Sequence, residues 1–150
     1  MAVEEDLADF SAGVSADLGR LLVLASAVVN ERVIADLDPT GASGVRLAHV
    51  PLIAALDPTG TRMVDLAART GVTRQAIAAL ARDLELAGVV TIAQDPADAR
   101  AVRVHLTEIG AALCRAATTY MAERERSWRE RMGDAAIDNL RATLVQLTQE

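Results

Sequence analysis

The chain contains no lysine, so all fifteen of its positive charges are arginine. It has one cysteine, Cys114, and only three aromatic residues, Phe10, Tyr120 and Trp128. A single cysteine excludes a disulfide framework. So few aromatics argue against an all-β fold, which draws on aromatic and β-branched side chains. No apolar run is long enough to cross a bilayer; the longest, Leu21 to Val29, is broken by Ser26. The opening residues, Met1-Ala2-Val3-Glu4-Glu5-Asp6, are acidic where a secretory signal would be basic, so a cytoplasmic protein is expected. Catalytic motifs are missing as well. There is no Gly-rich phosphate loop, no nucleophile elbow, no metal-ligand spacing and no placed acid–base pair. The sequence therefore points away from an enzyme and implies neither cofactor nor metal.

What it does contain favours helices. Of 150 residues, 30 are alanine and about half are apolar, and alanine and leucine are the best helix formers. The length suits one domain or two small ones sharing a core. The formal charge of −6 speaks against a nucleic-acid partner until it is divided along the chain. Residues 1–60 carry three arginines and nine acids, residues 61–106 six arginines and five acids, and residues 107–150 six and seven. DNA responds to the local field, and the middle third is the least acidic part.

Apolar residues recur at helical spacing from Asp6 to Ala35, through Leu7, Phe10, Val14, Leu18, Leu21, Leu24 and Val28, and predict one long helix. Asp38-Pro39-Thr40-Gly41 ends it. A second helix is expected from Ala48 to Leu56, with Pro51 in its first turn. Met63 to Thr70 predicts a short helix with Val64, Leu66 and Ala67 inward, closed by Gly71. Thr73 then caps a helix running to Leu86, whose buried stripe is Ile77, Leu80, Ala81 and Leu84. The pair has the form of a helix-turn-helix. Val89–Ala93 and Ala101–Leu106 read as strands joined by the polar loop Gln94–Arg100, and Thr61-Arg62 as a third, very short one. Thr107 restarts helix to about Arg131. Gly133 breaks it, and Asp134 is expected to cap a last helix striped by Ile137, Leu140, Leu144 and Leu147. The fold class is thus mainly α with a small β-hairpin wing: a winged helix-turn-helix flanked by N- and C-terminal helices.

Asp65-Leu66-Ala67-Ala68-Arg69-Thr70-Gly71-Val72-Thr73-Arg74-Gln75 and the following Leu84-Glu85-Leu86-Ala87-Gly88-Val89-Val90 resemble the helix-turn-helix of MarR-type transcriptional regulators. Asp98-Ala99-Arg100, six residues ahead of Leu106-Thr107-Glu108-Ile109-Gly110, is similar to that family's wing signature. The resemblance covers nearly the whole chain. It implies three segments: an N-terminal dimerisation helix and linker (1–47), a winged helix-turn-helix DNA-binding domain (48–106) and C-terminal dimerisation helices (107–150). It implies a homodimer, and the long apolar first helix agrees, because dimerisation would cover its stripe. The implied function is a regulator on a pseudo-palindromic operator, a repressor relieved by a small aromatic or phenolic effector.

The helix beginning at Thr73 would then enter the major groove with Arg74, Gln75, Ala78, Ala79 and Arg82 outward, arginine being suited to guanine and glutamine to adenine. The resemblance carries Arg100 over as a DNA-facing or wing-anchoring residue, either way in company with Asp98, and Arg103 supports it. His49 falls near where relatives bind small aromatic anions, and Tyr120 is a second candidate for that pocket. His105 should be solvated. Cys114, among alanines and Leu113, should be a buried and unreactive thiol rather than a sensor. Arg124, Arg126, Arg129 and Arg131 alternate with glutamates as a salt-bridged face, and Trp128 and Tyr120 share a side of it. The chain departs from the family's pattern at Ala79 and Ala99, where relatives are often polar or basic, and at the acidic helix end Asp83 and Glu85. These departures predict modest DNA affinity. They also motivate an alternative reading, a winged-helix protein-interaction module with weakened or lost DNA binding.

Overall fold

A computed structural model describes residues 17–38 and 43–149. The chain divides into two units, Met1–Gly110 and Ala111–Glu150. The first unit opens with α1 (Leu18–Leu37), capped by the Asp17 carboxylate, which accepts the Gly19 N–H at 2.7 Å. The earlier part of the expected helix, with Leu7, Phe10 and Val14, lies outside the described residues, as do Pro39, Thr40 and Gly41 of the turn after it. No residue of α1 is buried, and Leu18, Leu21, Val23, Leu24 and Val28 are all exposed. Apolar surface held in water forgoes about 25 cal/mol per Å² of stabilisation.

A 3-10 turn, Leu47–His49, leads into α2 (Val50–Ala54), which carries Pro51 in its first turn. This helix is shorter than its sequence suggested. The Ala55 N–H reaches back to the carbonyls of Pro51 and Leu52, both at 3.1 Å, which winds the chain tighter and closes the helix. After β1 (Thr61–Arg62) comes α3 (Met63–Thr70). Gly71 closes α3 in the left-handed region at φ 68°, where a side chain would be strained. Next is α4 (Arg74–Leu86), where the Thr73 hydroxyl accepts the Ala76 N–H at 3.3 Å. Two long strands follow, β2 (Val90–Asp95) and β3 (Asp98–Leu106), and the antiparallel sheet runs β1-β3-β2. Thr61 pairs with Val104, and Val104 with Ile92.

The core joins all these parts: Leu52 of α2, Leu66 of α3, Ile77, Ala81 and Leu84 of α4, and Val89, Val90 and Val104 are each at most 1 % exposed. Leu80, expected in the stripe, packs partly buried against it. Val64, expected inward, is 43 % exposed. Residues two apart on a helix face nearly opposite ways, so with Leu66 in the core Val64 must point out. The wing also differs from expectation. The strands extend to Asp95 and from Asp98, so the seven-residue loop shrinks to Pro96-Ala97. The Asp95 carboxylate turns the chain at once by accepting the Ala97 N–H at 2.8 Å, beside a register shift at Gln94/Asp95.

α5 (Glu108–Met132) and α6 (Asp134–Leu147) follow. The cap residue of α6 is Gly133, at φ 86°, and not Asp134. Asp134 is the first helical residue, where its charge meets the positive helix end and Arg129 at 3.2 Å. Arg129 also holds Glu125 at 2.9 Å and Asp138 at 2.7 Å, and Arg141 holds Glu125 at 2.5 Å. Of the expected salt-bridged face, the ion pairs among the described residues include only Arg129 and Glu125, whose other partners belong to α6, so they make the corner between α5 and α6. Ile137 is buried, but Leu140, Leu144, Val145 and Leu147 are exposed. Among the described residues, no helix is long and apolar enough to cross a membrane.

Candidate nucleic-acid interface

The structure sorts the seven arginines of residues 43–106 into two sets. Four are held by carboxylates: Arg46 by Asp83, Arg69 by Asp57 at 2.9 Å, and Arg62 and Arg103 both by Asp95, at 2.5 and 2.9 Å. The other three, Arg74, Arg82 and Arg100, are exposed and make no ion pair among the described residues. Arg74, Gln75, Ala78 and Arg82 fall within an arc of about 100° on α4, given about 100° per helical residue. Ala78 is half-buried at its floor, and Ala79 is exposed beside it. Thr73 spends its hydroxyl on capping.

Arg100 stands on β3 near the wing tip. Asp98 does not bind its guanidinium; its carboxylate accepts the Arg100 backbone N–H at 3.0 Å, a local turn that leaves the cation outward. The Gln94 side chain donates to the Ala99 carbonyl at 2.8 Å and closes the hairpin. Arg103, expected as a supporting contact, is directed elsewhere. Besides Asp95 it donates to the Gly60 carbonyl at 3.0 Å, tying β3 to the turn before β1.

Asp95 is the residue this reading of the sequence missed. Its side chain is fully buried between two arginines, and it holds the base of the wing. Its carboxyl is pulled down to about 2, first by the Ala97 N–H, then by Arg62 and Arg103. A folded value below the ordinary 3.8 means that the ionised form favours the fold. The contribution is complete above pH about 4 and is lost as the pH falls towards about 2. We expect Asp95→Asn to lower the melting temperature at pH 7 and to flatten the acid limb of the stability profile. Thermal melts between pH 2 and 7 check this, and parallel profiles for the two proteins would contradict it.

The motif from Leu106 to Gly110 has a packing explanation. Thr107 Oγ1 shares its one hydrogen between the Gly88 and Val89 carbonyls, at 2.6 and 3.0 Å, and accepts the Gly110 N–H at 3.0 Å. Gly110 lies so close to the strand that an added Cβ would fall 2.2 Å from the Val89 carbonyl oxygen and 2.8 Å from Leu106. His105 is not solvated as expected. It is half-buried, and its ring occupies the space where a Gly60 side chain would begin.

The remaining candidates belong to different units of the chain. His49 is fully buried, its ring between Arg46 and Asp83 and not on a surface that a ligand could line. Tyr120 is in the second unit, with the Arg124 guanidinium 5.9 Å above its ring. Cys114 is a half-buried free thiol whose pKa is raised by burial, the opposite of an activated thiolate. Among the described residues, no group of three His, Cys, Asp or Glu side chains is placed to hold a metal ion.

Residues 43–101 match the sequence model of the MarR family. Solved structures share the fold. The crystal structure of a MarR family transcription regulator, SP03579, superposes with a TM-score of 0.70 at 21 % identity, covering 99 % of this chain and 94 % of that one. A MarR-family regulator from Rhodococcus sp. RHA1 gives 0.68 at 25 % identity, over 89 % and 93 %. CouR from Rhodococcus jostii RHA1, bound to p-coumaroyl-CoA, gives 0.65 at 26 % identity over the same shares. No curated protein sequence matched the chain. Over residues 43–101 the chain thus carries a MarR-family sequence match, and along most of its length it is similar in fold to winged-helix regulators of that family.

Proposed function

We propose that the chain is a homodimeric regulator that binds double-stranded DNA at a pseudo-palindromic operator. The carrying observation is the trio Arg74, Arg82 and Arg100, without an ion pair among the described residues while their neighbours are held by carboxylates. In this reading Arg74, Gln75 and Arg82 meet base edges and phosphates in the major groove, and Arg100 enters the flanking minor groove. The exposed apolar residues of α1 support a partner of the same kind, since a second copy would cover them. A dimer presents its two recognition helices about one DNA turn apart, hence the two-fold operator. Regulation by a small aromatic ligand, with repression relieved on binding, is part of the proposal. Its support is the similarity to CouR, which was solved with p-coumaroyl-CoA.

The interaction-module reading loses part of its motive. The acids that suggested it have structural partners: Asp83 pairs with Arg46, and Glu85 accepts the Ile92 N–H at 2.8 Å, joining α4 to β2. Fluorescence anisotropy at low salt, with duplexes from the promoter of the protein's own gene and from random sequence, tests the proposal. The expected result is a clear preference for the promoter, with light scattering giving twice the chain mass. Equal affinity for both duplexes at every salt concentration would overturn it.

A further inference from the structure

His49 is the one buried side-chain polar group without a hydrogen-bond partner among the described residues, at Nε2. Its other nitrogen is engaged, because Nδ1 accepts the Arg46 backbone N–H at 3.0 Å and caps the 3-10 turn ahead of α2. An Nδ1 that accepts carries no proton, so the neutral ring has its hydrogen on Nε2. That hydrogen faces Asp83 Oδ2 of α4 across 3.7 Å, too far for a hydrogen bond. Asp83 is turned instead to the Arg46 guanidinium. Arg46 thus meets His49 through its backbone and competes with it through its side chain. The charged groups acting on the ring are Arg46 from its own turn and Asp83 from α4, and α2 carries no charge.

We propose that His49 is a buried proton switch between the turn before α2 and the recognition helix. Taking one proton from solvent, the imidazole becomes an imidazolium with N–H on both nitrogens. Nδ1 can then no longer accept the Arg46 N–H, and the turn loses its side-chain cap, keeping only the backbone bond from the His49 N–H to the Arg46 carbonyl at 2.9 Å. Nε2 becomes a cationic donor that draws Asp83 away from Arg46. Burial, then Arg46, hold the ring's pKa below the ordinary 6.5, while Asp83 pulls the other way. A lowered value means that the neutral ring favours the fold: the closed arrangement is complete above pH about 6.5 and gives way as the pH falls through the His49 midpoint. Asp83 adjoins Arg82, so the switch reaches the recognition face. That consequence rests on the DNA-binding reading above, whereas the switch itself does not.

The test is an NMR pH titration of the full-length protein with 15N-labelled imidazoles, with His105→Gln to assign the two rings. In the parent protein, His49 should show the Nε2–H tautomer at pH 8 and a midpoint below that of a free imidazole. Arg46→Ala should raise the midpoint and Asp83→Asn should lower it, each by about half a pH unit or more, a threefold change in proton affinity. A residue with only a packing role would not move in opposite directions. An Nδ1–H tautomer at pH 8, or a midpoint unmoved by both substitutions, would overturn the proposal. Anisotropy at pH 7.5 and 5.5 then separates the two readings. Weaker promoter binding at pH 5.5 in the parent, absent in His49→Gln, extends the switch to DNA. No promoter binding at either pH removes the DNA reading and leaves the NMR result standing.

Discussion

Gly110→Ala should destabilise the protein strongly, although it adds a single methyl group. The new Cβ would fall 2.2 Å from the Val89 carbonyl oxygen, far inside contact distance, and 2.8 Å from Leu106 Cδ1. The Leu106 side chain can rotate aside, but the carbonyl is backbone. To relieve the clash, the start of α5 must lift from the end of α4 and the edge of β2. Lifting it breaks the shared hydroxyl bond by which Thr107 holds the Gly88 and Val89 carbonyls, and the cap on the Gly110 N–H. Overpacking costs about 1–3 kcal/mol, and a lost cap about 1 kcal/mol more. The total of about 3 kcal/mol corresponds to about 10 °C in melting temperature for a chain of this size. Calorimetry checks it. Thr107→Ala serves as comparison: it removes the hydroxyl but adds no bulk, and should lower the melting temperature less. If alanine at position 110 melted within 2 °C or so of the parent, the close packing of α5 on Val89 would be refuted.

The second large effect concerns DNA. Each specific arginine contact contributes about 1–3 kcal/mol. In the proposed homodimer, Arg74→Ala with Arg100→Ala would remove four such contacts, so promoter affinity should fall by at least about a hundredfold, even with strongly non-additive losses. The salt dependence should change too, because each neutralised phosphate contributes about 0.9 to the slope of log affinity against log salt. Control substitutions come from the held set. Arg69→Ala removes the same charge from the same unit, but its guanidinium is spent on Asp57 and the Ala55 carbonyl. It should lower stability and leave the salt slope of the folded protein near that of the parent. If Arg69→Ala and the Arg74/Arg100 pair lost affinity equally, the division of arginines into held and available sets would have no functional meaning.

Local signals carried much of this architecture. Gly71 and Thr73 are two residues apart and act on their immediate neighbours, so the turn between α3 and α4 was legible as punctuation. The stripe of Ile77, Ala81 and Leu84 follows helical period, and the Leu106–Gly110 motif marks the junction of sheet and helix. What escaped notice depends on distance along the chain. Arg62 and Asp95 lie 33 positions apart, and only the sheet brings them together. Arg103 therefore looked like a spare cation. His105 alternated outward on its strand, yet Gly60, 45 positions earlier in the sequence, provides the hollow that shelters it. The wing appeared longer than it is, because polar residues with a proline read as loop, whereas Asp95 and Asp98 spend their carboxylates on folding the hairpin back. The acidic end of α4 was misleading for the same reason: charge was visible in the sequence, but its partners were not.

The two-residue turn at Pro96-Ala97 has a thermodynamic consequence. With Asp95 clamped by Arg62 and Arg103 and Gln94 bonded to the Ala99 carbonyl, the hairpin is ordered before any DNA arrives. The conformational entropy of arranging the wing is lost when the chain folds, not when it docks. Little of the binding free energy proposed here is then spent on ordering that segment. In exchange, the wing has little freedom to adapt: an operator whose minor groove lies a few ångströms out of register cannot be met by a longer reach. Discrimination by spacing would come from stiffness, with no additional base contact required.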